Sequence, residues 1–163
     1  SETNYIKRLV GVPGDLIEMD KNRLKVNGQF VKDSGEHYFR TFDGASFTPL
    51  DKKDLRPDEI MDFKLIEKDG QVLSVQRIEG YGLRVMGEEI TDPIQVNEIW
   101  SKPAVKIPEG KYLFVGDDRN NSGDGRFWGL VERKEIVGKA VLIMLPFGRM
   151  GRVDDHAKIP LRP

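Results

Sequence analysis

Apolar positions in this chain come in short β-branched runs broken by glycine, proline and asparagine, with no long stretch of 3.6-residue period. That texture predicts strands joined by tight turns rather than helices. Tyr5–Val12 reads as a buried strand ended by Pro13-Gly14, and Leu16–Met19 as a second strand. Arg23–Val26 and Gln29–Lys32 flank Asn27-Gly28, a dipeptide that suits the positive φ angles of a two-residue hairpin turn. Gln71–Ile78 and Leu83–Met86 predict another pair around Gly80-Tyr81-Gly82. Lys111–Val115 runs into a polar loop, and Lys139–Leu145 reads as a last buried strand. Residues 33–58 are polar, with Tyr38, Phe39, Phe42 and Phe47 interleaved, and Pro57 can open one short helix running to Phe63. The fold class predicted is mostly β with few short helices. The simplest arrangement is a core β domain made from residues 1–33 and 99–163, with 34–98 inserted as a smaller β-rich lobe.

Composition narrows the function. The 163 residues carry 26 basic and 27 acidic side chains, well mixed, for a net charge of −1, which leaves no electrostatic footprint for nucleic acid. Zero cysteines excludes a disulfide framework and any thiolate zinc site. With His37 and His156 as the only histidines, a metal centre or a Ser-His-Asp triad is poorly supplied, and no cofactor is expected. The longest apolar run, Ala140 to Leu145, falls well short of the roughly 18–20 residues that span a bilayer. No Gly-x-Ser-x-Gly elbow, His-Glu-x-x-His pair or phosphate-binding Gly-rich loop is present.

Two segments carry candidate chemistry. Tyr5-Ile-Lys-Arg-Leu-Val-Gly-Val-Pro-Gly-Asp15 sets Lys7 inside an apolar strand, sharing a face with Tyr5 and Leu9. Desolvation lowers the pKa of a lysine, and a neutral amine can take a proton from a serine hydroxyl without any histidine. A lysine that snorkels to water from a strand edge is the plainer reading of the same pattern. Arg8 adds a second cation that needs its own partner. The other segment is Gly116-Asp-Asp-Arg-Asn-Asn-Ser-Gly-Asp-Gly-Arg-Phe-Trp-Gly129, whose one hydroxyl is Ser122. As a calcium loop it fails, because Gly129 stands where the twelfth position needs Glu. As a polar corner it works: Asp117, Asp124 and Arg126 form ion pairs, Ser122 meets a neutral amine, and Phe127-Trp128 cover the loop from water.

Together the two segments resemble the lysine box and the closing Gly-Asp box of bacterial type I signal peptidases, serine proteases with a Ser-Lys dyad. The resemblance covers roughly residues 3–32 and 108–145. It implies Lys7 as general base, Ser122 as the hydroxyl that orients it, and Asp117, Asp124, Arg126 and Arg8 as supporting charges. Asn4, Tyr5 and Ile6 would pair with the substrate as an added strand. The implied partners are preprotein signal peptides with small residues before the cleavage site. The implied location is the outer, periplasmic face of the bacterial cytoplasmic membrane, reached through an N-terminal anchor and an apolar surface. The chain departs from the family at Asp118, Asn120 and Gly125, where the family usually has Asn, Asp and Ser. It also lacks the Ser-x-Ser-Met-x-Pro segment that supplies the nucleophile and most of the oxyanion hole. Ser1, Ser34, Ser46, Ser74, Ser101 and Ser122 all lack that context. The expectation is a piece of an active enzyme that is inactive by itself. The alternatives are a non-catalytic relative that binds peptides or assists pilus assembly, and the Ser-Lys autoprotease domain of SOS-response repressors.

Overall fold

The computed structural model describes residues 4–32, 34–41, 47–139, 142–143 and 151–152. Ser1, Ser46, Phe42, His156 and much of the strand expected over Lys139–Leu145 lie outside the described residues. The strands in chain order are β1 (Arg8–Gly11), β2 (Ile17–Asp20), β3 (Arg23–Val26), β4 (Gln29–Phe30), β5 (Phe39–Thr41) and β6 (Phe47–Pro49). Then come β7 (Met61–Lys68), β8 (Gln71–Ile78), β9 (Gly82–Val85) and β10 (Glu88–Ile90), followed by helix α1 (Pro93–Trp100). Strand β11 (Lys111–Val115) leads to helix α2 (Gly125–Trp128), and β12 (Val131–Glu132), β13 (Leu142–Ile143) and β14 (Gly151–Arg152) complete the list. The fold is mostly β.

Hairpin turns organise the larger sheet. Lys21-Asn22 (φ 46° and 68°), Asn27-Gly28 (53° and 82°), Asp69-Gly70 (53° and 79°) and Met86-Gly87 (48° and 85°) each place two successive residues at positive φ. This is the geometry whose twist matches that of the flanking strands. The resulting meander has the order β10-β9-β8-β7-β2-β3-β4, seven strands in one sheet. Its β2–β7 pairing, Met19 opposite Phe63, joins residues before position 33 to residues after it through continuous strand hydrogen bonding. A second sheet, β1-β11-β12, lies over the first.

The core follows from strand periodicity. Phe63 and Leu65 point to one side of β7 and pack with Val10, Ile17, Leu24, Leu113 and Val115, the cluster between the two sheets. Ile66 points to the other side and packs with Val75, Leu83 and Ile99. Helix α1, which the hydrophobic pattern did not reveal, covers that second side. Pro93 opens it and the Asp92 carboxylate accepts from the Gln95 N–H at 3.0 Å.

Two local expectations are corrected. The helix expected from Pro57 is a single 3₁₀ turn, Pro57–Glu59, because burial of Met61, Phe63 and Leu65 has period two and draws the chain into β7. The buried strand expected over Tyr5–Val12 is shorter: β1 starts at Arg8, and Asn4, Tyr5 and Ile6 are exposed. Arg8 faces Val115, the last residue of β11, so pairing with that strand ends there.

Asn22 shows how tightly the turns are tied in. It is 1% exposed at φ 68°, donates from Nδ2 to the Glu59 carbonyl at 2.9 Å, and accepts at Oδ1 from the Met61 N–H at 2.9 Å. Asn22→Ala strands both backbone groups, at about 1–3 kcal/mol each. Urea denaturation should show a loss of about 2–6 kcal/mol, and a loss below about 0.5 kcal/mol would show that water replaces the side chain.

Candidate active site

The site is built by one strand register. Arg8 opposite Val115 places Lys7 beside the start of the polar loop at Gly116. There the Lys7 Nζ donates to Ser122 Oγ at 2.7 Å, with both residues half-buried. Gly116 is required by space: a β-carbon on it would lie 1.9 Å from Ser122 Oγ and 3.4 Å from Lys7 Nζ.

Arg8 points to the other side of the chain and finds Asp117, with Nε to Oδ1 and Nη2 to Oδ2 both at 2.7 Å. That hydrogen bonding, against the opposing effect of burial and with the carboxylate's charge, raises the pKa of the guanidinium above its already high value. Gly35 makes room, since a β-carbon there would stand 2.5 Å from Arg8 Nε. Asp117 therefore serves Arg8 and not Arg126, which separates the ionic cluster expected from the sequence into two pairs.

The second pair is Asp124–Arg126, at 0% and 1% exposure. Arg126 donates Nε to Oδ1 at 2.9 Å and Nη2 to Oδ2 at 2.8 Å, and Asp124 also accepts from the backbone N–H groups of Gly116 (2.8 Å) and Arg126 (3.0 Å). Burial pushes the Asp124 carboxyl up, but Arg126 and the two N–H groups outweigh it and hold it below the usual carboxylate range.

Arg119, which the sequence reading passed over, is buried like Arg126, at 1% exposure. It donates to the Gly116 carbonyl (3.0 Å), to the Ser34 carbonyl (2.5 Å) and to Ser34 Oγ (3.3 Å), while its own carbonyl accepts from Arg126 at 2.8 Å. Burial, with the charge of Arg126, lowers its pKa. The sequence carries no signal for it, because its partners are the two carbonyls and the Ser34 hydroxyl rather than a carboxylate of the loop. Asn120 was missed as well. It brackets Phe39, accepting its N–H at 3.0 Å and donating to its carbonyl at 2.8 Å, and donates to Glu59 at 3.1 Å.

The expected cover of Phe127 and Trp128 is only half realised. Phe127 lies beneath the Arg84 guanidinium, 4.8 Å from ring centre to Cζ. Trp128 is 42% exposed and stands against Tyr5 with ring centroids 5.8 Å apart. Among the described residues no group of three His, Asp or Glu side chains is arranged to hold a metal ion, and no helix is long and apolar enough to cross a membrane.

Residues 1–145 match the family of signal peptidases, peptidase S26. The chain belongs to that family. It is 43% identical over 154 residues to the probable signal peptidase I-2 of Synechocystis sp., a match covering 94% of this chain and 44% of that protein. It is 28% identical over 155 residues to signal peptidase I of Aquifex aeolicus, covering 87% of this chain and 57% of the relative. A solved signal peptidase I from Enterococcus faecalis aligns with 81% of this chain and 78% of its own, at 22% identity and a TM-score of 0.39. The chain spans about half the length of the curated relatives it matches, with shares between 44% and 57% of their length.

Two measurements test the electrostatics of this site. Asp124→Ala leaves Arg126 buried without its carboxylate, so thermal unfolding should show a loss of about 3–5 kcal/mol. An unchanged melting temperature would mean the pair contributes nothing. Asp118 behaves oppositely: burial raises its carboxyl pKa above the ordinary 3.8, against Asn121, Arg126 and Lys7, which favour the charged form. An acid whose pKa rises on folding loses stability as pH climbs from its unfolded value through the folded one, and the cost persists above that. Asp118→Asn should therefore raise the melting temperature modestly at pH ~7 and not at pH ~3. An equal gain at both pH values would assign the effect to packing.

Proposed function

We propose that this chain carries the general-base part of a Ser-Lys peptidase that removes N-terminal signal peptides from exported preproteins. The observation that supports it most is the 2.7 Å contact between Lys7 Nζ and Ser122 Oγ. A neutral Lys7 amine takes the proton of a serine nucleophile as that oxygen attacks the scissile carbonyl, then returns it to the leaving amine. Ser122 holds Nζ in direction. Arg8–Asp117 and Asp124–Arg126 hold the strand and loop that carry the two groups.

The nucleophile belongs to the Ser-x-Ser-Met-x-Pro segment that the family resemblance places before the lysine box. The described serines other than Ser122 are committed elsewhere: Ser34 to Arg119, Ser74 Oγ to the Gly125 carbonyl at 2.7 Å, and Ser101 Oγ to the Glu98 carbonyl at 2.9 Å. Asn4, Tyr5 and Ile6 are the peptide-binding residues in this reading. Their exposure beside an edge strand supports strand addition by a signal peptide with small residues before the cleavage point. The proposed location is the outer face of a bacterial cytoplasmic membrane.

The test uses the full-length enzyme. Lys7→Met keeps the aliphatic stem but removes the base, and kcat should fall by about 10²–10⁴-fold with folding retained. Ser122→Ala should cost only about 1–3 kcal/mol in transition-state stabilisation, as loss of one hydrogen bond does. Near-normal kcat in Lys7→Met removes the assignment of the base. Acylation of Ser122 by a serine-directed inhibitor would make it the nucleophile instead.

A further inference from the structure

The segment Asn4–Lys7 lies beyond the end of β11 and outside strand pairing among the described residues, yet its position decides where Lys7 stands. Residues Tyr5 and Lys7, two apart in an extended chain, project to the same side. Both meet the same loop: Lys7 meets Ser122 and Tyr5 meets Trp128. Ile6 points away at 85% exposure. The segment is thus pinned at two points by side chains from residues 116–129, one polar and one aromatic.

The aromatic point is mounted on a fixed base. Trp128 ends α2, whose turn is held by the Trp128 N–H to Asp124 carbonyl bond (3.1 Å) and the Gly129 N–H to Gly125 carbonyl bond (3.0 Å). That same Gly125 carbonyl accepts from Ser74 Oγ on β8 at 2.7 Å. Gly129, at φ 90°, lies so close to the β9–β10 turn that a β-carbon on it would come 2.7 Å from Met86 Cε. The large sheet, through β8 and the Met86 turn, therefore fixes the ring on which Tyr5 rests.

We propose that Trp128 is a positioning residue for peptide binding, acting through Tyr5 to hold Asn4–Ile6 extended beside Lys7 so that an incoming apolar peptide strand finds an ordered template. The inference rests on the reading of Asn4–Ile6 as the peptide-binding segment. A template ordered only part of the time weakens apparent affinity by the ordered fraction, while bound complexes react as before. Loss of the ring contact therefore acts on KM rather than kcat.

The experiment uses the full-length enzyme and a peptide substrate with Ala at the positions before the scissile bond. Trp128→Ala should raise KM about 5–10-fold with kcat within about twofold, and Trp128→Phe should restore most of the loss. Trp128→Leu keeps apolar bulk but removes the ring, and should raise KM alike even where Trp128→Ala fails to fold. Binding is read separately, without turnover. Within these 163 residues the other tryptophan is Trp100, with Lys64 and Arg77 each 4.4 Å from its ring centre, so Trp128 is read as the difference in emission between the enzyme that carries it and its Trp128→Phe variant. Its emission should shift when an uncleavable form of the peptide is titrated in. A wild-type enzyme that does not bind the peptide overturns the reading of the site. Wild-type binding with KM unchanged in both variants overturns this inference alone, as does a fall in kcat at constant KM.

Discussion

One carboxylate carries the architecture of this site. Asp124 is fully buried, so its charge is tolerable only while Arg126 and two backbone N–H groups face it. One of those N–H groups belongs to Gly116, at the beginning of the loop, and the guanidinium belongs to its end. Four hydrogen bonds to one group therefore draw both ends of the loop together, and Ser122 is presented between them. The same constraint sets the direction of the Arg126 fork, whose remaining nitrogen reaches the Arg119 carbonyl. Satisfying the charge and shaping the loop are one requirement.

Arginines extend that requirement outward. Arg119 ties the loop to Ser34, Arg8 ties the strand that follows Lys7 to Asp117, and the backbone of His37 lies between Asp117 and Arg119, exchanging bonds of 2.9 and 2.8 Å with them. Planar guanidinium groups suit this work, because each carries several donors in a fixed plane and can serve carboxylates and carbonyls at once. The arrangement explains why small residues recur at close quarters. Gly35, Gly116, Gly125 and Gly129 each sit where a β-carbon would strike a neighbouring side chain.

Much of this was legible in the sequence, and the boundary between what was and what was not is physical. Asn27-Gly28 announced its turn because two successive positive φ angles need those residue types; Asp69-Gly70 is a turn of the same kind that the reading passed over together with β7. Lys7 and Ser122 stood out because an amine inside an apolar strand and a lone hydroxyl in a polar loop are both unusual. Arg119 did not, because a guanidinium bound to carbonyls leaves no partner of opposite charge to look for. Tyr5 and Ile6 misled in the other direction. Apolar side chains in series look like a buried strand, but the pattern does not reveal where the neighbouring strand ends.

The proposed base and its orienting hydroxyl are separated by 115 residues along the chain. The seven-stranded meander is made largely of local hairpins, which close small loops at little entropic cost, whereas the β1–β11 pairing closes a very long one. Any partly folded form that keeps the hairpins but frees β1 has no Lys7–Ser122 pair at all. Assembly of that pair is thus coupled to completion of the fold, so a nascent or loosened chain lacks the arrangement on which the proposed chemistry depends.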